Sequence, residues 1–193
     1  MPATRRAVLA AVAAIALPLA GCTTAPEPGA PNFGGAPPIR LAVASVDVQS
    51  QMQNLPTQFI DLRRTDGLVA ATKAFLAQRV QATGGSDTAR AVIEQASLVE
   101  QHGPAQGITG AITGGPVQLV GVLSVRVAVV DGAGVEKAYS RARVDLKRPV
   151  AEGSSVVERD RMARMMVNDL IEAVDRSLQG NVKENLGAYL AGS

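Results

Sequence analysis

VQLVGVLSVRVAVVDGAGVEKAYSRARVDLK, residues 117–147, is the stretch that decides the fold. Its odd positions from Val117 to Val129 are apolar or glycine, and the even positions of its second half include Ala138, Ala142, Val144 and Leu146. Side chains alternate across a strand with period two, so each half is a strand with one apolar face. A turn through Asp131-Gly132-Ala133-Gly134 joins them as a hairpin that sets odd against even and puts both apolar sets on one side of the sheet. The register this turn implies places Arg126 directly opposite Tyr139. The other face then carries Arg126, Lys137, Tyr139, Arg141, Arg143 and Lys147, cations spaced at about 7 Å along a strand.

Working outward, IRLAVASVDV (39–48) reads as a strand covered on both faces and RAVIEQASLVE (90–100) as a second strand. Between them Asp66 can cap a helix whose stripe is Leu68, Phe75, Leu76 and Val80, ended by Gly84-Gly85. After Pro149, Ser155 and Glu158 have capping-box spacing. They open a long helix with Met162, Met166, Leu170, Val174 and Leu178 on one stripe, interrupted near Gly180 and followed by a short turn with Val182, Leu186 and Leu190. The order β-α-β-β-β-α implies an α+β fold, an antiparallel sheet of about four strands with two main helices packed on one face. Tryptophan is absent and aromatics make up 3%, so Val, Leu, Ile, Ala and Met must fill the core.

The first forty residues are of another kind. Met1–Arg6 carries two arginines, Ala7–Leu17 is apolar, and Pro18 precedes small residues, the order of a secretory signal. About ten apolar residues are too few to span a bilayer that needs about twenty. The chain's single cysteine follows in Leu19-Ala20-Gly21-Cys22, which resembles the lipobox of bacterial lipoproteins. The resemblance implies cleavage between Gly21 and Cys22 and a diacylglyceryl group on the Cys22 sulfur. Thr23 in place of Asp implies, by the same resemblance, an outer-membrane anchor with the domain facing the periplasm. Thr4-Arg5-Arg6-Ala7-Val8-Leu9 is similar to a twin-arginine export motif, and the ordinary export route accommodates it equally. Residues 1–21 are thus read as signal peptide, 22–38 as lipidated cysteine and Pro/Gly-rich tether, and 39–193 as one domain.

Lys and Arg number 19 against 17 Asp and Glu. Arg5 and Arg6 leave with the signal and no acidic residue does, so the mature chain is balanced and composition provides no basis for nucleic-acid binding.

Chemistry is sparse. The only imidazole is His102 and the only thiol is Cys22, and no HExxH, CxxC, Walker or GxSxG pattern occurs, so no metal, cofactor or catalytic residue is assigned. Asp47, Asp61, Glu94 and Asp145 are carboxylates that would serve hydrolysis if the fold brings them together. The basic face can be a solvated surface neutralised by glutamates or a site for an acidic partner or anionic headgroups. The uncharged stretch 103–121 can be a flexible loop or an element that meets a membrane or partner. Met162 and Met166 fit core packing, and together with Met165 they could instead form an adaptable binding face. Lipobox, tether and element order resemble the small auxiliary lipoproteins of envelope ABC-type and MCE-type transport systems. The ending DLIEAVDRSLQGNVKENLGAYL (169–190) is similar to that of other envelope lipoproteins. The function expected is a non-enzymatic accessory or adaptor for an envelope protein complex, anchored to the membrane by its lipid. The alternatives are a lipid- or lipopolysaccharide-binding module and an anchored hydrolase.

Overall fold

The computed structural model describes residues 36–52, 62–104 and 115–192. Gly21, Cys22, Asp61 and the greater part of the loop between the second and third predicted strands lie outside them.

Four strands form the main sheet: β2 (Ser45–Ser50), β4 (Thr88–His102), β5 (Val117–Val130) and β6 (Glu136–Pro149), in that spatial order. β4–β5 and β5–β6 are antiparallel, as the hairpin pattern requires, whereas β2 lies parallel to β4. The connection explains the difference: helix α1 (Leu62–Arg79) intervenes between β2 and β4, and a crossover helix returns the chain in the same direction. The predicted strand 39–48 divides. β1 (Ile39–Leu41) leaves the main sheet to pair in parallel with β3 (Val80–Ala82), and Val43, fully buried, lies at the break. The chain's last residues return to β1, with Ala42 N–H donating to the Tyr189 carbonyl at 2.7 Å and Ala191 N–H to that of Arg40 at 3.0 Å.

Both helices cover one face of the sheet. Leu68, Phe75 and Leu76 of α1 and Met166, Leu170, Ile171, Val174, Leu178 and Val182 of α2 (Val156–Asn185) bury against Ile93, Leu98, Leu119, Leu123, Val125 and Val127. Burying each such side chain is worth about 1.5–3 kcal/mol, which is why two helices and one sheet face suffice for a core. Met166 is fully buried and Met162 packs against the core, whereas Met165 is exposed.

Three helix boundaries differ from the sequence reading. Asp66 lies inside α1, which starts at Leu62, and Val80 belongs to β3. Gly180 does not interrupt α2, because Leu178 and Val182 on either side of it are both buried and hold the helix through it. Ser155 caps α2 as expected, its hydroxyl accepting from Glu158 N–H while its own N–H donates to the Glu158 carboxylate at 2.8 Å.

Where β2 ends, no strand among the described residues continues beside β4, and α1 supplies partners there. Thr65 Oγ1 accepts from Leu98 N–H at 3.3 Å, and Arg64 binds both Glu100, at 2.6 Å, and Asp160 of α2, at 2.9 Å. Arg79, at the end of α1, is buried against Asp175 at 2.6 Å and also donates to the carbonyls of Ala36 and Pro37. The last residues of the predicted tether are therefore clasped by the domain.

Candidate functional site: the open face of the sheet

Among the described residues, no helix covers the outward face of the main sheet. Two β-bulges determine which side chains stand on it. In β4 the alternation Ala89, Ala91, Ile93 inward switches to Ala96, Leu98 inward because Glu94 is an extra residue between Ile93, paired with Val125, and Gln95, paired with Ser124. Glu94 and Gln95 therefore stand side by side on the open face. A second irregularity, between Val129 and Val130, lies beside the turn. Five residues, 131–135, connect the strands, and the irregularity leaves Lys137 as an extra residue; together they shift the hairpin by two, so that Arg126 pairs with Arg141 and Tyr139 with Ala128, in place of the Arg126–Tyr139 pairing that a four-residue turn predicts. The parity of the faces survives because the shift is even.

Arg126 and Tyr139 still meet, now diagonally: the guanidinium carbon lies 4.1 Å from the ring centroid, a cation–π arrangement. Next to them is a groove of about 390 Å³ that crosses β4, β5 and β6 and is bordered by Gln51, just beyond β2. Val92, Ala128 and Val130 form its apolar floor, and Arg90, Arg126, Arg141, Arg143, Glu94 and Glu136 are its charged lining.

Most of these charges are paired. Arg141 reaches Glu94 at 2.7 Å, and Glu94 also accepts from the Ser124 hydroxyl at 3.2 Å. Arg143 binds Asp145 at 3.1 Å and Gln95 at 2.9 Å. Arg126 donates to Glu136 through Nη2. The hydrogen bond and then the charge of Glu94 raise the Arg141 pKa above its ordinary value, and Asp145 does the same for Arg143.

The predicted basic face is thus brought together in part. Arg126, Arg141 and Arg143 line the groove and Tyr139 stacks at its rim. Lys137 instead bonds both oxygens of Asp87, at 3.0 and 3.1 Å, and this hydrogen bond raises its pKa. Lys147 lies farther along β6, opposite Val120 and outside the groove. The sequence reading missed Arg90, Ser124, Gln95 and Glu136. The signal for Arg90 was present in the alternation of TARAVI (88–93), whose small and apolar Ala89, Ala91 and Ile93 face inward and leave Arg90 outward.

The carboxylates considered for hydrolysis are otherwise engaged: Asp47 accepts from Gln49, Glu94 from Arg141 and Ser124, and Asp145 from Arg143. His102 is exposed at the end of β4. Among the described residues no three His, Cys, Asp or Glu side chains are placed to hold a metal, and no helix is long and apolar enough to cross a membrane. Of the stretch 103–121, residues 117–121 are part of β5, and Gly103 N–H donates to the Pro116 carbonyl at 2.8 Å. The apolar face of the sheet is packed against the two helices.

No protein-family profile and no curated protein sequence matches the chain. Among solved structures it is similar to a minor lipoprotein from Acinetobacter baumannii, with 12% identity, 79% of this chain and 98% of that chain covered, and a TM-score of 0.38. It is also similar to the rare lipoprotein B from Shewanella oneidensis, with 17% identity, 72% and 95% covered, and a TM-score of 0.40. Likenesses of this degree carry no functional argument.

Proposed function

We propose that the chain is a bacterial envelope lipoprotein, anchored through Cys22 and facing the periplasm from the outer membrane, that serves as a non-enzymatic adaptor and docks an envelope protein on the open face of its sheet. The sequence Leu19-Ala20-Gly21-Cys22, with the Pro/Gly-rich residues after it, supports the anchor. Two or three acyl chains hold a protein durably at a bilayer where one holds it only marginally. The observation that carries the docking role is the groove itself: a polar concavity with an apolar floor, lined by side chains from β4, β5 and β6, on the face that the helices leave open.

Photocrosslinking in cells tests this. Tyr139 stands at the groove rim and Met165 on α2, and the two are about equally exposed, at 49% and 48%. A photoreactive residue at 139 is expected to capture a discrete protein that the same residue at 165 does not. Equal capture at both, or none at 139, contradicts the reading.

A second reading, a binder of lipid or another amphiphile, is favoured by a different feature. Between α1 and α2 lies a crevice of about 420 Å³, floored by Gly67, Ala71, Leu98, Ala163 and Val167 and edged by Arg63 and Arg164. Native mass spectrometry would show a co-purifying amphiphile under this reading and a clean protein mass under the first.

A further inference from the structure

In the groove one cation differs from the rest. Arg126, Arg141 and Arg143 each have an acidic partner, but the Arg90 side chain has no hydrogen bond or ion pair with any described residue. Its neighbour across the β2–β4 pair is Asp47, whose carboxylate accepts from the Gln49 amide and makes no ion pair with Arg90. The Nε atoms of Arg90 and Arg126 are both buried and both without an acceptor. A guanidinium presents five donors, and a donor withdrawn from water without a partner costs about 1–3 kcal/mol. Two such donors in one groove are an unmet demand for acceptor oxygens.

The geometry points to Arg90, seconded by Arg126, as a subsite for a carboxylate on an acidic peptide segment of the docked protein. This deepens the docking reading and rests on it for the source of the carboxylate. The charge of the groove selects among oxyanions. Glu94, Glu136 and Asp145 each pair with one arginine, which leaves Arg90 as the one guanidinium of the described groove lining without an ion-pair partner, with the Asp47 carboxylate opposite it in the β2–β4 register limiting the net positive charge. That matches a monoanionic carboxylate better than a phosphate, which is nearly doubly charged at neutral pH. The planar guanidinium fork suits a bidentate carboxylate, and Arg90 can present it by rotating its outer torsions, since no partner holds it. The apolar floor of Val92, Ala128 and Val130 lies beside the arginines and accommodates the flanking side chains of a peptide.

Arginine Nε–H resonances report this directly. The full chain, held in nonionic detergent and labelled with nitrogen-15, is titrated with a triglutamate peptide blocked at both ends, with its triglutamine analogue, and with inorganic phosphate. The expected result is a saturable shift of the Arg90 and Arg126 Nε–H signals with triglutamate, no saturation with triglutamine, and at least tenfold weaker response to phosphate. The Arg90→Gln variant should lose at least tenfold in triglutamate affinity while its amide spectrum stays folded. Unmoved signals with triglutamate, unchanged affinity in Arg90→Gln, or a tighter response to phosphate would each overturn the assignment. A partner held by other contacts would still crosslink at position 139 in cells while leaving Arg90 silent, so the subsite and the docking reading fail separately.

Discussion

Arg141 on β6 spans β5 to reach Glu94 on β4, its Nη2 2.7 Å from Oε1, and it can do so because the bulge turns Glu94 onto the open face. The pair is partly exposed, with side chains 53% and 25% accessible, so its contribution to stability is small. Glu94→Ala is expected to cost less than about 1 kcal/mol in urea denaturation. The same change frees Arg141 and should tighten triglutamate binding. Weaker binding would show that Glu94 belongs to the recognition surface rather than restraining it.

Gly121 sits where α2 crosses the sheet. A Cβ there would lie 2.7 Å from Leu170 Cδ1 and 3.2 Å from Met166 Cε, and both side chains are fully buried. Gly121→Ala is expected to destabilise by about 1–3 kcal/mol, the ordinary cost of overpacking. Leu170→Ala, which opens a cavity, should suffer less in the Gly121→Ala background than alone. Additive losses in a double-mutant cycle would contradict this coupling.

Arg79 and Asp175 form the most buried ion pair described, with side chains 5% and 13% exposed. Removing one partner leaves the other charge uncompensated, so Arg79→Ala is expected to cost about 3–5 kcal/mol. It also removes the donor that holds the Ala36 and Pro37 carbonyls. Limited proteolysis should then cut nearer the domain, at residues 36–38, under conditions where the native protein resists.

The start of α2 makes the protein sensitive to acid. The Ser155 backbone N–H and then its hydroxyl hold the Glu158 carboxyl below its ordinary pKa, and the Arg64 hydrogen bond does the same for Asp160. A depressed native value means that the unfolded chain binds protons first as pH falls. The stabilisation is therefore complete above the unfolded values, about 4.3 for Glu and 3.9 for Asp, and is lost as pH falls through the native ones. The stability gap between the native protein and Glu158→Ala should accordingly be full at pH 7 and shrink at pH 3. A gap of the same size at both would contradict the cap's charge dependence. Ser155→Ala should cost about 1 kcal/mol at pH 7.

The hairpin and its faces were legible because period-two alternation survives any even shift of register. The pairing of Arg126 was not, since one added residue in the connection and one extra residue, Lys137, beside it make an even shift that leaves no mark in the hydrophobic pattern. The break between β1 and β2 was hidden for a related reason: Leu41 and Val43 are both fully buried, so the apolar run reads as one strand although its halves join different sheets. Asp66 looked like a cap because its short polar side chain suits one, but α1 already begins four residues earlier. Half of the groove was visible as the alternating cations of β6. The other half comes from β4, where a bulge and an arginine within an apolar run needed the three-dimensional pairing to be seen.

The central claim is that the domain works from a lipid anchor on Cys22. The most direct measurement is the intact mass of the mature chain purified from membranes, with fragmentation of its N-terminal peptide. The account predicts a chain that begins at Cys22 and carries a thioether-linked diacylglyceryl group, and a Cys22→Ala variant absent from the membrane fraction. A mature chain that retains residues 1–21, or one whose Cys22 is unmodified, would contradict it.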